Sequence, residues 1–426
     1  MGPTIALVPL TLDQLDQFVG EVNSMKIEDS HARSAKLMRH YLPYTKDFPH
    51  DPFSEDYKVW VLRCWAAICG KPRYSNELEK DPNVQPTTDQ LRNMFPFSTM
   101  DPFFIGQYWI GVYSILQQLV GLPSNEVVEY GIGWGHTTTA LLKSGFDVTA
   151  IDIENKWLQL IELREGMDPS KGKLRCFHGE FGKFPDNETK YAAAIFYECF
   201  HHALDHNSVI ASIAERLLDE GIIVFAAETI YSDFPIPWGI RQDGHSVWAI
   251  RNFGWMELGF SEDYFILLLR QHGLNLRKVH CKEAGPSGLI YVAQKSPSGV
   301  VMGRTILHSR ESGFYPPEES PDIHTRFTSG NATLYMSDRH ASLLEIELKN
   351  WLPCEVRCSI THDNIEVWQR TIEPNDVINA NFQIGRTDSL AYVRIVSDAF
   401  VPKDLGINDD QRLLGIAIGR VAFRTP

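Results

Sequence analysis

The chain has 426 residues, of which 43% are hydrophobic, 22% charged and 11% aromatic. That length holds two or three domains of ~100–200 residues, and that composition excludes a wholly disordered or fibrous protein. The formal net charge is −14 and no dense Lys/Arg cluster offsets it, which argues against a nucleic-acid partner.

Residues 1–120 read as a helical, aromatic-rich region, with Thr11 capping a first helix through Glu21 and further helices over His31–Tyr41 and Tyr57–Cys69. In the last of these Val59, Leu62, Trp65 and Ala66 recur at a helical period. The longest apolar stretch, Trp109–Val120, is broken by Gly111, Gln117 and Gln118 and falls short of the ~18–20 residues of a membrane helix. The N-terminus lacks the basic region and apolar core of a signal peptide. The seven cysteines are odd in number and form no CxxC pair. They predict neither a disulfide framework nor a structural zinc, and they fit a reducing cytoplasm.

From residue 126 short apolar strands alternate with helices. The strands are EVVEYG, DVTAIDI, LRCFHG, YAAAIFYE and GIIVFAAE, and His136–Ser144, Lys156–Arg164 and Ser208–Asp219 are helices between them. This rhythm predicts an α/β fold with a mainly parallel sheet covered on both faces. After a long loop come the helix Glu262–His272 and a closing strand pair, NLRKVHC and LIYVAQK. Residues 298–330 are turn-rich and read as a linker, and 331–426 hold seven short strands with turns such as HDN, EPND and GRTD, a pattern for a β-sandwich.

Between the first strand and its helix lies Glu129-Tyr-Gly131-Ile-Gly133-Trp-Gly135-His136. Glycines let a backbone turn sharply and approach a ligand, and a helix N-terminus beyond offers free N–H groups. A dinucleotide loop needs a third glycine where this chain has His136, which disfavours a nicotinamide oxidoreductase. An acidic residue two positions before the first glycine suits a cationic ligand instead.

E-x-G-x-G-x-G resembles the first motif of class I S-adenosylmethionine-dependent methyltransferases, and the resemblance runs through about residues 126–297. It implies a Rossmann-like sheet over 121–297 and S-adenosylmethionine as cofactor. It also implies Glu129, Gly131, Gly133 and Gly135 as the cofactor loop, Asp152 (with Glu154 as the offset alternative) at the ribose, and Glu180, in Gly179-Glu180-Phe181, at the adenine.

In open α/β sheets ligands bind beyond the carboxyl ends of the strands, so the segments after the fourth and fifth strands border the reacting group. The first is ECFHHALDH and the second is a stretch of about thirty residues, Glu228–Phe260. Transfer to an alcohol needs a base near neutral pKa, and histidine fits. His201 and His202 are the first candidates and His245 the second, with Asp205 or Glu198 to orient a histidine. Trp238, Arg241 and Asp243 suit a sugar, by aromatic stacking and hydrogen bonds to hydroxyls. No metal site is expected, although Asp243 with Glu228 stands as a pair able to hold a divalent ion.

ECFHHALDH with PWGIRQDG and FGWMELGF is similar to a bacterial methyltransferase group associated with surface-polysaccharide assembly, and Ser397–Ile416 is similar to a tail found on glycosyltransferases of such pathways. The expectation is therefore an O-methyltransferase acting on a sugar hydroxyl of a surface glycan or its precursor. A carbohydrate substrate and association with itself or with glycan-assembly enzymes are the partners to expect. The Phe95–Tyr113 segment is expected to fold over the cofactor. The rivals are a methyltransferase for a small molecule or lipid, with nitrogen as an alternative acceptor atom, and a glycan-binding scaffold with a vestigial cofactor site.

Overall fold

Seven strands form the central sheet: β1 (Glu126–Tyr130), β2 (Asp147–Asp152), β3 (Leu174–His178), β4 (Tyr191–Tyr197), β5 (Leu217–Ala226), β6 (Leu274–His280) and β7 (Leu289–Lys295). The structure is a computed structural model and describes residues 7–26, 30–45, 47–80, 84–92, 94–296, 299–317, 324–335, 343–384 and 392–424. The spatial order is β6-β7-β5-β4-β1-β2-β3. Strands β1 to β5 are parallel, and β7 enters antiparallel between β5 and β6. The chain order reverses between β1 and β4, which opens a crevice at their carboxyl ends.

Both faces of the sheet are dry because successive residues feed different cores. Val127, Ala193, Ile195 and Val224 face one cluster with Ile115, Leu141 and Ile161. That face is covered by helices α4 (Pro102–Gln118), α5 (His136–Lys143) and α6 (Asn155–Met167). Val128, Ala194, Ile223 and Phe225 face the other cluster with Ile210, Ile213, Phe265 and Leu268, from α7 (His206–Arg216) and α9 (Glu262–Gln271). On this face Tyr130, Phe196 and Phe225 stack across three strands, with centroids 5.1 and 5.6 Å apart.

The N-terminal helices are α1 (Leu15–Ser24), α2 (Ser30–Arg39) and α3 (Glu55–Cys69). The last is well specified locally. The Ser54 hydroxyl accepts from the Tyr57 N–H, Glu55 and Asp56 occupy the first turn, and Gly70 ends it in a left-handed conformation at φ 78°. These helices pack on α8 (Gly244–Phe253), and Phe18, Val61 and Trp65 join the same core as Phe225. The stretch Glu228–Phe260, read from sequence as a loop, is thus structured. Helix α8 is capped by the Asp243 carboxylate on Ser246 N and closed by Gly254. Ile230–Tyr231, Trp238–Ile240 and Leu258–Ser261 pair into a small sheet.

The C-terminal part has β8 (Arg326–Tyr335), β9 (Leu343–Lys349), β10 (Val356–His362), β11 (Ile365–Ile372), β12 (Val377–Gln383), β13 (Tyr392–Ser397) and β14 (Ala417–Arg424). All pair antiparallel in the order β11-β10-β13-β8-β14-β9-β12. Strand β8 passes from β14, at Arg326–Phe327, to β13, at Asn331–Tyr335. Ile346 and Ile418 from one half and Ile360 and Ile395 from the other share one core, a sandwich bent toward a barrel. The HDN turn carries Asp363 and Asn364 at φ 47° and 68°, the handedness a two-residue hairpin requires. Strand β8 begins inside the span read as linker. The GRTD turn lies outside the described residues.

Helix α9 is tied to this part by a buried ion pair. Arg270 donates to both Glu311 oxygens, at 2.7 and 3.1 Å, and Glu311 also accepts from His308 N and Tyr335 N. The two side chains are 4% and 0% exposed, so removing one leaves the other charged without a partner. Glu311→Ala is expected to destabilise the chain by ~3–5 kcal/mol, read by urea denaturation. An unchanged midpoint would contradict that coupling.

Candidate functional site

A cavity of about 700 Å³ opens at the carboxyl ends of β1, β2 and β4, within the range of small-molecule sites. Its floor is the glycine loop, with Gly131 and Gly133, and its near wall is Asp152 and Trp157. Glu180 and Phe181 after β3, and the Glu198–Asp205 segment after β4, form its sides. The far wall comes from Tyr74–Glu79, with Trp255 beside it. Among the described residues no Lys or Arg lines it, whereas Glu77, Glu79, Asp152, Glu180, Glu198 and Asp205 do.

The loop is built for close approach. Gly131 has φ 62°, and a Cβ there would meet Cys199 Cβ and Sγ at 2.9 Å. Gly135, at φ 67°, leads into α5, and its Cβ would strike Ile161 at 2.9 Å. Asp152 Oδ1 accepts from Glu154 N at 2.7 Å, and its Oδ2 lies 3.4 Å from Gly133 N. Burial raises its pKa to about 6 against those hydrogen bonds. Glu180 accepts from Asn76 Nδ2 at 2.7 Å, which fastens the far wall to the loop after β3.

Glu129 and Gly135 stand behind the cavity rather than on its surface. The Glu129 carboxylate is 2% exposed and accepts from Thr138 Oγ1 at 2.6 Å. Burial pushes its pKa up to about 8. Glu129 therefore joins β1 to the first turns of α5 from below. The Phe95–Tyr113 segment does not line the cavity either. Phe97, Tyr108 and Trp109 pack around the His136 ring, which meets the Phe95 carbonyl. The cover over the cavity is Tyr74–Glu79.

After β4 the backbone is held by one carboxylate. Glu228, at the end of β5, accepts from Cys199 N (2.8 Å), Phe200 N (2.7 Å), His201 N (3.2 Å) and His201 Nδ1 (2.9 Å). Burial works against its charge, but His201 and these N–H groups keep its pKa below the usual value. Beside it Glu198 and Ala227 both have φ 55°, a strained backbone that clusters at ligand sites. Glu198 is exposed into the cavity. Its enclosure, with Glu228 and Glu257 near, raises its pKa.

Of the three histidines, His202 lines the cavity. Its Nδ1 is 3.1 Å from Glu79 Oε2, too poorly aligned for a hydrogen bond. Burial opposes protonation of His202, but Glu79, with Glu257 and Glu228 beyond, overcomes it and carries the pKa up to about 9. His201 lies just behind, with the two rings 4.4 Å apart. His245 is exposed on the otherwise buried first turn of α8, outside the cavity lining. Asp205 pairs with Lys58, and the carboxylates facing the histidines are Glu228 and Glu79.

Trp238, Arg241 and Asp243 are also outside the cavity lining. Trp238 is 3% exposed, donates to the Pro52 carbonyl at 2.7 Å and packs on Tyr57 and His206. Asp243 is occupied as the cap of α8 and pairs with Arg241 at 2.9 Å. Sequence reading missed Tyr74 and Glu79, which lie in a segment without a motif, and gave Glu257 no role although it lies in FGWMELGF. The signal for Trp255 was its place in an unusually long connection. No metal was expected, yet His201, His202 and Glu257 bring one donor atom each to within 4.8 Å of one another.

Residues 111–279 match the family model of a methyltransferase domain. A sequence comparison with curated proteins gives no significant match. Among solved structures the chain is similar to the magnesium protoporphyrin IX methyltransferase of Synechocystis with bound S-adenosylmethionine, at 16% identity and a TM-score of 0.37 over 53% of this chain and 99% of that one. It is also similar to the N-methyltransferase NodS of Bradyrhizobium japonicum with S-adenosylhomocysteine, at 16% identity and a TM-score of 0.34 over 51% of this chain and 100% of that one. A third is an S-adenosylmethionine-dependent methyltransferase of Clostridium acetobutylicum, at 12% identity and 0.35 over 49% and 98%. The family match falls on the sheet that carries the glycine loop. The central part of the chain thus matches a methyltransferase domain. Among the described residues no helix is long and apolar enough to cross a membrane.

Gly131→Ala combines a left-handed alanine, ~1–2 kcal/mol, with the Cys199 contact. The expected result is a lower melting temperature together with weakened S-adenosylhomocysteine binding in calorimetry. Wild-type affinity would show that the loop tolerates a side chain.

Proposed function

We propose that the chain methylates a hydroxyl of a sugar in a bacterial surface glycan or its precursor, with a histidine as base, in the cytoplasm. One observation carries the reading. The cavity joins an acid-lined glycine loop to a second end where His202 stands with Glu79, Glu198, Tyr74 and Trp255. The first end suits a carrier with a sulfonium and an ammonium, because carboxylates line it and, among the described residues, no Lys or Arg does. Asp152 would take the ribose hydroxyls and Glu180 the adenine amino group. The second end suits a pyranose, with aromatic faces for its apolar side and carboxylates for its hydroxyls. The seven cysteines are all free, which supports a reducing compartment.

The cofactor supplies a methyl group on a positively charged sulfur. The residues have to hold the acceptor in line and remove its proton. With the cofactor held at the glycine loop, Asp152 and Glu180, the hydroxyl oxygen would take its methyl carbon, with the carbon–sulfur bonding pair remaining on sulfur. The hydroxyl proton passes to the neutral form of His202, the candidate histidine that borders the cavity; because its pKa is raised to about 9, that form gains with rising pH and turnover is expected to climb up to about pH 9. Glu79 beside it stabilises the imidazolium formed. The exposed loop 401–412, closed by the Phe400–Leu414 bridge, offers a surface for glycan-assembly enzymes.

The same carboxylates also suit an amino group, which makes nitrogen methylation of an amine the second reading. Turnover with defined oligosaccharides, and mass spectrometry of the product, separates oxygen from nitrogen. His202→Ala is expected to lower kcat by ~10²–10⁴-fold with S-adenosylhomocysteine affinity intact. Asp152→Ala is expected to weaken that affinity by about 10–100-fold through loss of charged hydrogen bonds. Full turnover in His202→Ala would remove the histidine from the reaction, and absence of S-adenosylhomocysteine binding in the wild type would leave a scaffold.

A further inference from the structure

We infer that His201, His202 and Glu257 form a binding site for a first-row divalent metal ion in the wall of the cavity. The inference rests on the proposed methyl transfer for the ion's chemical role, and with the ion bound it moves the base from His202 to Glu198. The three side chains come from two segments more than fifty residues apart, yet each presents a donor atom within 4.8 Å of the others. Donors at tetrahedral angles on such an ion stand ~3.4 Å apart, from bonds of ~2.1 Å, so side-chain rotations that bring the donors together by up to about 1.4 Å close the set.

A second observation is independent of that spacing. Metal-bound histidines commonly donate their other ring N–H to a carboxylate, which fixes the tautomer and aims the free nitrogen at the ion. His201 has that arrangement. Its Nδ1 meets Glu228 at 2.9 Å, and Glu228 is itself immobilised by three backbone N–H groups. The His201 side chain is 7% exposed, and among the described residues no hydrogen bond is made by its Nε2. His202 Nδ1 is likewise buried without a hydrogen bond.

Charge points the same way. Glu79, Glu228 and Glu257 are 11%, 0% and 10% exposed at their side chains and surround the two imidazoles, with Glu198 on the cavity side. Arg241 approaches Glu257, but at 3.5 Å, while it pairs with Asp243 at 2.9 Å. A divalent ion would balance this excess. Two imidazoles and one carboxylate favour manganese or zinc over magnesium or calcium, which prefer all-oxygen sites.

With the ion bound, His202 is a ligand. The acceptor hydroxyl takes an open position on the ion, which lowers its pKa, and its proton passes to the Glu198 carboxylate. The oxygen then bonds to the methyl carbon as before. This role explains why Glu198 stands in the cavity on a left-handed backbone beside the cluster.

The test uses the full chain, stripped with chelator and titrated separately with manganese chloride and zinc chloride by calorimetry. One equivalent of either ion is expected to bind. Glu257→Gln and His201→Asn should each weaken binding at least ~10-fold. Glu228→Gln, which touches no ion, should weaken it by ~10–100-fold. Nitrogen couplings in the electron paramagnetic resonance of bound manganese should disappear stepwise in the histidine variants. S-adenosylhomocysteine binding is measured in every sample. If it persists and no ion binds stoichiometrically, or the variants bind as well as wild type, the metal site is wrong and the methyltransferase reading stands. If the wild type binds the ion but not S-adenosylhomocysteine, the site stands and the proposed reaction falls.

Discussion

The site depends on one buried carboxylate. Glu228 leaves the end of β5 and accepts the N–H groups of Cys199, Phe200 and His201, which close the turn after β4. An ionised carboxylate out of water is costly unless such bonds satisfy it, and here each oxygen has partners from the neighbouring strand end. The turn in turn places Cys199 against Gly131 and His202 on the cavity wall. Glycine loop, cavity wall and histidine pair are thus parts of one hydrogen-bonded unit spanning β1, β4 and β5.

A second node, Glu79, joins this unit to the N-terminal region. Its carboxylate accepts from Tyr74 Oη at 2.8 Å and from Met256 N at 2.7 Å, and it faces His202. Asn76 reaches Glu180 across the cavity. The N-terminal helices pack on α8, and Trp65 Nε1 donates to the Trp255 carbonyl at 3.3 Å. The region before the sheet and the connection after β5 therefore form a single layer. That layer encloses the His202 end of the cavity, and an enclosed site strengthens every charge interaction inside it.

Much of the fold was legible in the chain because burial on both faces demands uninterrupted apolar strands. YAAAIFY and GIIVFAA could hardly be anything else, and the glycine loop between β1 and α5 marks a tight turn with a helix behind it. The Glu228–Phe260 stretch was not legible. Its strands are only two to four residues long, too short for alternation to register, and Pro235 and Pro237 mimic a loop. The sugar-binding reading of Trp238 met a similar limit: a tryptophan that fills a core and one that stacks on a ligand look alike until their neighbours are known.

Residue order alone determined the alternation of strand and helix, the glycine turn, the acidic residue at the end of β2 and the all-strand C-terminal part. These follow from local rules of backbone conformation and from the period of side-chain burial. Tertiary structure decided which charges meet. Glu79, His202, Glu228 and Glu257 are scattered over nearly two hundred positions. Only the packing of the N-terminal layer on the sheet brings them together, because Coulomb and hydrogen-bond forces act over a few ångströms of space and take no account of separation along the chain.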